Sequence, residues 1–116
     1  MNVDLMVSSP ALARTVALTL AEEGFALQTQ SIRMATQALS PMLQALRSDI
    51  VIVDSTPAQE QADLQALEAM TFAKPQMYVI LITDNSDKQL LFSAMRAGVR
   101  EVLTLPLADK ALADAL

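Results

Sequence analysis

Asp54 closes the apolar run Val51-Ile52-Val53, and Thr83 closes the run Ile80-Leu81-Ile82. In doubly wound sheets, ligands bind beyond the carboxyl ends of the strands. A carboxylate at such an end can accept a phosphoryl group or bind a metal; it can also cap the turn beside Ser55 and Thr56. A hydroxyl there can bind a phosphoryl oxygen, or merely lead into the turn Asp84-Asn85-Ser86. The neighbouring strand ends lack the rest of that chemistry. The first ends on Ser8-Ser9, two neutral hydroxyls where a magnesium ion wants one or two carboxylates. These serines read as caps of the following helix. The last strand ends on Leu105-Pro106, where an ammonium would steady a transferred phosphoryl group and leucine cannot. Leu105 suits either core packing or a contact surface.

The elements that hold these residues alternate. Strands are predicted near 2–7, 25–30, 50–54, 77–83 and 101–104, with helices near 10–23, 33–47, 57–71, 86–97 and 107–116. Continuous apolar runs such as Val79-Ile80-Leu81-Ile82 mean strands covered on both faces, as in a parallel sheet between helix layers. Ser9-Pro10, Thr56-Pro57-Ala58-Gln59 and Ser86-Asp87-Lys88-Gln89 read as helix starts, and Gly24 and Gly98 as left-handed stops. Ser40-Pro41 predicts a helix restart inside the second helical segment, because an interior proline loses a hydrogen bond and clashes. Leu12, Val16 and Leu20 form one helix stripe, Leu64, Leu67 and Met70 another, and Leu91, Met95 and Val99 a third. The run from Ala108 to Leu116 carries no stop signal, so the expectation is a single domain, residues 1–116, excised from the N-terminus of a longer protein.

Composition removes whole classes of function. Histidine and cysteine are absent, which excludes His-based acid–base catalysis, thiolate metal sites and disulfides. A net charge of −5 with three Phe, one Tyr and no Trp argues against nucleic-acid binding. The two glycines are used as helix stops, which leaves none for a dinucleotide or Walker phosphate loop, so a nucleotide-binding enzyme is disfavoured. No apolar run is long enough to span a membrane, and Met1-Asn2-Val3-Asp4 is not a signal-peptide start; a cytoplasmic address is expected. Asp84, Asp87, Glu22, Glu23, Glu60 and Asp63 read as solvated helix-end or surface charges.

The layout resembles the response-regulator receiver domain. The resemblance rests on Ser48-Asp49-Ile50-Val51-Ile52-Val53-Asp54, on Val79-Ile80-Leu81-Ile82-Thr83, and on Ala94-Met95-Arg96-Ala97-Gly98-Val99-Arg100-Glu101-Val102-Leu103 followed by Pro106. It implies an α/β, CheY-like (flavodoxin-like) (βα)5 three-layer sandwich with a five-stranded parallel sheet in the order 2-1-3-4-5. It places Asp54 at the phosphoacceptor position and Thr83 at the switch position. Ser8 and Ser9 then stand where receivers carry an acidic pair, and Leu105 where they carry lysine. Pro57 comes one position early, and the glycine of that loop is missing.

Among atypical receivers, the chain resembles the N-terminal domain of CpaE/TadZ-type Flp/Tad pilus-assembly proteins. The residues that carry this are Ser8-Ser9-Pro10, Asp54-Ser55-Thr56 and the stretch Met95 to Leu107. The resemblance implies a non-catalytic protein-interaction or localisation module at the inner face of the inner membrane or a cell pole. No enzyme activity, metal or cofactor is expected, magnesium included. Partners would be proteins, including a second copy bound through the fourth helix, fifth strand and fifth helix, where Leu91, Phe92, Met95, Leu105 and Leu107 lie. The competing reading is a two-component response regulator with Asp54 as a true acceptor.

Overall fold

In this computed structural model the described residues are 2–33, 39, 43, 48–56, 58–85, 87–107 and 110–116. Five strands pair in parallel in the spatial order β2-β1-β3-β4-β5: β1 Asn2–Val7, β2 Ala26–Ile32, β3 Ile50–Ser55, β4 Tyr78–Thr83 and β5 Glu101–Thr104. Four helices are described: α1 Pro10–Glu22, α2 Glu60–Ala73, α3 Lys88–Arg96 and α4 Ala111–Ala115. The second helix expected from sequence, with its restart at Ser40-Pro41, lies outside the described residues, except that Leu39 and Leu43 are helical and buried.

Strand alternation divides the core into two layers, one on each face of the sheet. Val3, Leu5, Val7, Ile50, Ile52, Ile80 and Ile82 pack against Ala13, Val16 and Leu20 of α1 and Leu112 of α4. Met6, Val51, Val53, Val79 and Leu81 face the other way, onto Leu39, Leu43, Leu67, Met70 and Ala94. β3 is buried along its whole length, which is why its sequence shows no polar alternation before Asp54.

Local chemistry sets the helix ends. Ser9 has extended backbone and its Oγ accepts the Leu12 N–H at 3.2 Å, with Pro10 as the first helical residue. Beyond α1, Gly24 takes φ +81°, while the Gly24 and Phe25 N–H groups reach back to the Ala21 and Leu20 carbonyls. The end of α3 repeats this with Gly98 at φ +92° and with bonds from Gly98 to Met95 and from Val99 to Ala94.

Three expectations need correction. α2 starts at Glu60, later than expected. Gln59 makes no side-chain cap, and its N–H donates to the Thr56 carbonyl ahead of the helix. α3 is capped by Asp87, whose carboxylate accepts the Gln89 N–H at 3.0 Å; Ser86 lies outside the described residues. The inward stripe of α3 is Leu90 and Ala94, not Leu91 and Met95, which face solvent. With apolar side chains on both faces of this helix, periodicity could not choose between the two stripes.

β2 is an edge strand, and six of its seven residues, on both faces, are exposed. Gln28 is an extra residue with no partner on β1: Val3 pairs with Leu27, and Asp4 with Thr29. This bulge turns Thr29 onto the face of Asp4, and the Thr29 hydroxyl donates to the buried Asp4 carboxylate at 2.5 Å. None of the described helices is long and apolar enough to cross a membrane.

Candidate functional site

Asp54 sits in the last turn of the pleat in β3, where the sheet brings the ends of β1, β3 and β4 side by side. Its carboxylate is buried, with 6% of the residue exposed. Both oxygens accept from Ser8, the residue just past β1. The Ser8 N–H donates to Oδ1 at 3.0 Å and to Oδ2 at 2.9 Å, and the Ser8 hydroxyl donates to Oδ2 at 2.6 Å. Short hydrogen bonds to an ionised acceptor are the strong kind. Ser8 therefore does not cap α1, as expected from sequence; Ser9 alone does that. Ser8 instead anchors the acid 46 residues away.

Thr83 is fully buried at the end of β4, and its Oγ1 accepts the Asn85 N–H at 3.1 Å. The hydroxyl is thus engaged in the turn after the strand. Leu105 continues the ladder of β5 through its N–H to the Thr83 carbonyl at 2.8 Å, while its side chain remains exposed.

A cleft of about 450 Å³ lies over this end of the sheet. Its lining includes Ser8, Ser9, Leu12, Asp54, Ser55 and Thr56, together with Asp84, Leu105, Pro106 and Leu107. The structure thus unites Ser8, Ser9, Asp54 and Leu105, while the buried Thr83 does not line the cleft and Leu91 and Met95 sit elsewhere on α3. Among the described residues, no group of three acidic side chains could hold a metal ion.

A second cluster was not legible from sequence. Arg33, just past β2, is buried and clamps Asp63 of α2 with two bonds, Nη1 to Oδ1 at 3.0 Å and Nη2 to Oδ2 at 2.8 Å. Ser55 donates to the same Asp63 oxygen at 2.6 Å, and Arg33 Nη2 also reaches Gln59 Oε1 at 3.0 Å. Asp63 is therefore a buried ion-pair partner, not a solvated surface charge. Its place in the first turn of a helix disguised it, since acids are favoured there by the helix dipole alone. A second strand expected to end at residue 30 and a helix expected from 33 hid the place of Arg33 directly after β2. The network fixes Ser55, and with it the backbone next to Asp54. Its cation is committed to Asp63; toward Asp54 it approaches only the backbone carbonyl, at 3.5 Å.

A parallel sheet in the order 2-1-3-4-5, with an aspartate near the end of β3 and a threonine ending the buried β4, is the CheY-like receiver fold. The isolated receiver domain of RcsB from Salmonella enterica serovar Typhimurium, solved in the presence of the phosphomimetic BeF3−, matches 98% of this chain and 83% of its own. It does so at TM-score 0.78 and 18% identity, a likeness of fold. Two solved proteins are closer in sequence. One, described as pilus assembly-related, is from Burkholderia pseudomallei K96243: 29% identity, TM-score 0.72, covering 99% of this chain and 85% of that one. The other, described as a pilus assembly protein (cpaE), is from Burkholderia thailandensis E264: 28% identity, TM-score 0.75, covering 99% and 93%. Its structural neighbours thus include both pilus assembly proteins of the CpaE/TadZ kind and response-regulator receivers. No protein-family model and no curated protein matches the chain.

Proposed function

We propose that this chain is a receiver-like protein-interaction and localisation module that works without phosphoryl transfer, in Flp/Tad (type IV-class) pilus assembly at the cytoplasmic face of the inner membrane. One observation carries the reading: Ser8 occupies both oxygens of the Asp54 carboxylate, in the position where a receiver presents metal-binding acids. Phosphoryl transfer depends on cations that neutralise the developing charge. Here Leu105 supplies no ammonium, and the serines compensate no magnesium charge. The similarity to two pilus assembly proteins supports the biological setting. The contact surface is the exposed side of α3 with the end of β5. Phe92 and Met95 are each 58% exposed there, and Leu91 and Leu105 add to the apolar surface, with Leu107 partly buried beside them.

The test is incubation with magnesium and a small-molecule phosphodonor, followed by intact-mass measurement. The expected result is no phosphoryl mass gain. A gain that disappears in Asp54→Asn would instead make the chain a phospho-accepting receiver.

A further inference from the structure

We propose that the cleft over Asp54 receives a basic side chain, lysine or arginine, presented by a protein partner. This rests on the reading of the chain as an interaction module, and it names the chemistry that the module recognises at this cleft.

The electrostatics come first. Asp54 has surrendered most of its hydration, and removing a carboxylate from water is costly unless it is paired. What it receives in return, among the described residues, comes from one neutral residue, Ser8, just past the adjacent strand. An ionised carboxylate offers about four lone-pair sites. Ser8 engages Oδ1 through a single N–H, so that oxygen keeps accepting capacity. None of the described Lys or Arg side chains pairs with Asp54; the guanidinium nearest to it, Arg33, is consumed by Asp63. Among the described residues, the buried Asp54 carboxylate therefore has no basic partner.

The shape and lining of the cleft fit the missing cation. No lysine or arginine lines it. Leu12, Leu105, Pro106 and Leu107 provide apolar walls, the surface along which lysine and arginine stems lie while the charged head reaches a polar partner. Asp84, exposed at the cleft, adds a second carboxylate, and Ser9 and Thr56 add hydroxyl acceptors. An ammonium or guanidinium that reaches Asp54 forms a charge-assisted hydrogen bond shielded from water, where such bonds are strongest. The chain's net charge of −5 steers a basic partner toward it. A phosphorylated or acidic segment would instead meet two carboxylates with no compensating cation.

The test uses a random peptide library displayed on phage and panned against the immobilised chain, with the selected peptides resynthesised and titrated. The expected outcome is a consensus with a lysine or arginine flanked by apolar residues. Binding should weaken at least tenfold when that residue becomes norleucine, in Asp54→Asn, and in Leu105→Lys, which supplies the cation from within. Leu105 is exposed, so the last variant keeps the fold and decides the matter even if Asp54→Asn does not. An acidic, phosphorylated or purely apolar preference, the absence of any binder, or binding indifferent to both variants overturns the proposal. The phosphodonor experiment is read separately. A chain that takes no phosphoryl group and no basic peptide sinks this inference alone, and one that takes a phosphoryl group sinks the earlier reading.

Discussion

At Asp54 the decisive neighbour is Ser8, and removing the Ser8 hydroxyl isolates its contribution. Ser8→Ala keeps both N–H contacts and loses the 2.6 Å O–H bond. Hydrogen bonds to charged groups contribute about 1.5–3 kcal/mol, so urea denaturation should show a loss of about 2 kcal/mol. Ser8→Asp should cost more, because it sets two carboxylates against each other, and magnesium should recover part of the loss. The Arg33–Asp63 pair predicts a larger effect. Arg33→Met strands a buried carboxylate, at a cost of about 3–5 kcal/mol. Arg33→Met with Asp63→Leu should recover most of it in the same measurement, since neither charge remains. The strand-end rule places Asp54 and Thr83 from sequence alone. It is silent on Ser8 binding Asp54 and on Arg33 binding Asp63, because both pairs join separate elements, 46 and 30 residues apart.

Helix stops decide how the elements fit together, and the two glycines separate two physical causes. A Cβ on Gly24 would meet nothing within 4 Å, so Gly24→Ala bears only left-handed backbone strain, about 1–2 kcal/mol. A Cβ on Gly98 would lie 2.7 Å from Thr71 Cβ, next to a hydroxyl that donates to the Ala97 carbonyl at 2.7 Å. Gly98→Ala should therefore be the more damaging in thermal and urea unfolding, by at least about 1 kcal/mol, the scale of overpacking. Both stops and all five strands were legible, because each carries local backbone chemistry or an uninterrupted apolar run. The start of α2 was not. Thr56 and Gln59 have the spacing of a capping box, yet Gln59 turns to Arg33 instead. The inward face of α3 was ambiguous for a comparable reason: Leu90 and Leu91 are adjacent, and only tertiary packing selects Leu90.

Across the whole molecule the distribution of apolar surface gives the broadest prediction. Phe92 and Met95 lie on α3, which packs beside β5, the strand that leads into Leu105. If that surface joins two copies, sedimentation equilibrium should return twice the 12.5 kDa chain mass, and Met95→Glu should return the single mass. Substituting an exposed side chain should leave stability within about 0.5 kcal/mol, which separates loss of association from loss of folding. The order of strands was anticipated from a resemblance spanning the chain, whereas the side of α3 left bare could not be read without the packed helices.

The opposite margin of the sheet has its own consequence. Among the described residues no strand pairs with the outer edge of β2, and no lysine, acid or proline lies within it to repel another strand. The interruption at Gln28 breaks that edge into segments too short to serve as a long flat template. The bulge at Gln28 is thus a feature that works against cross-β stacking, and a strand straightened there would offer a longer flat edge to a second chain.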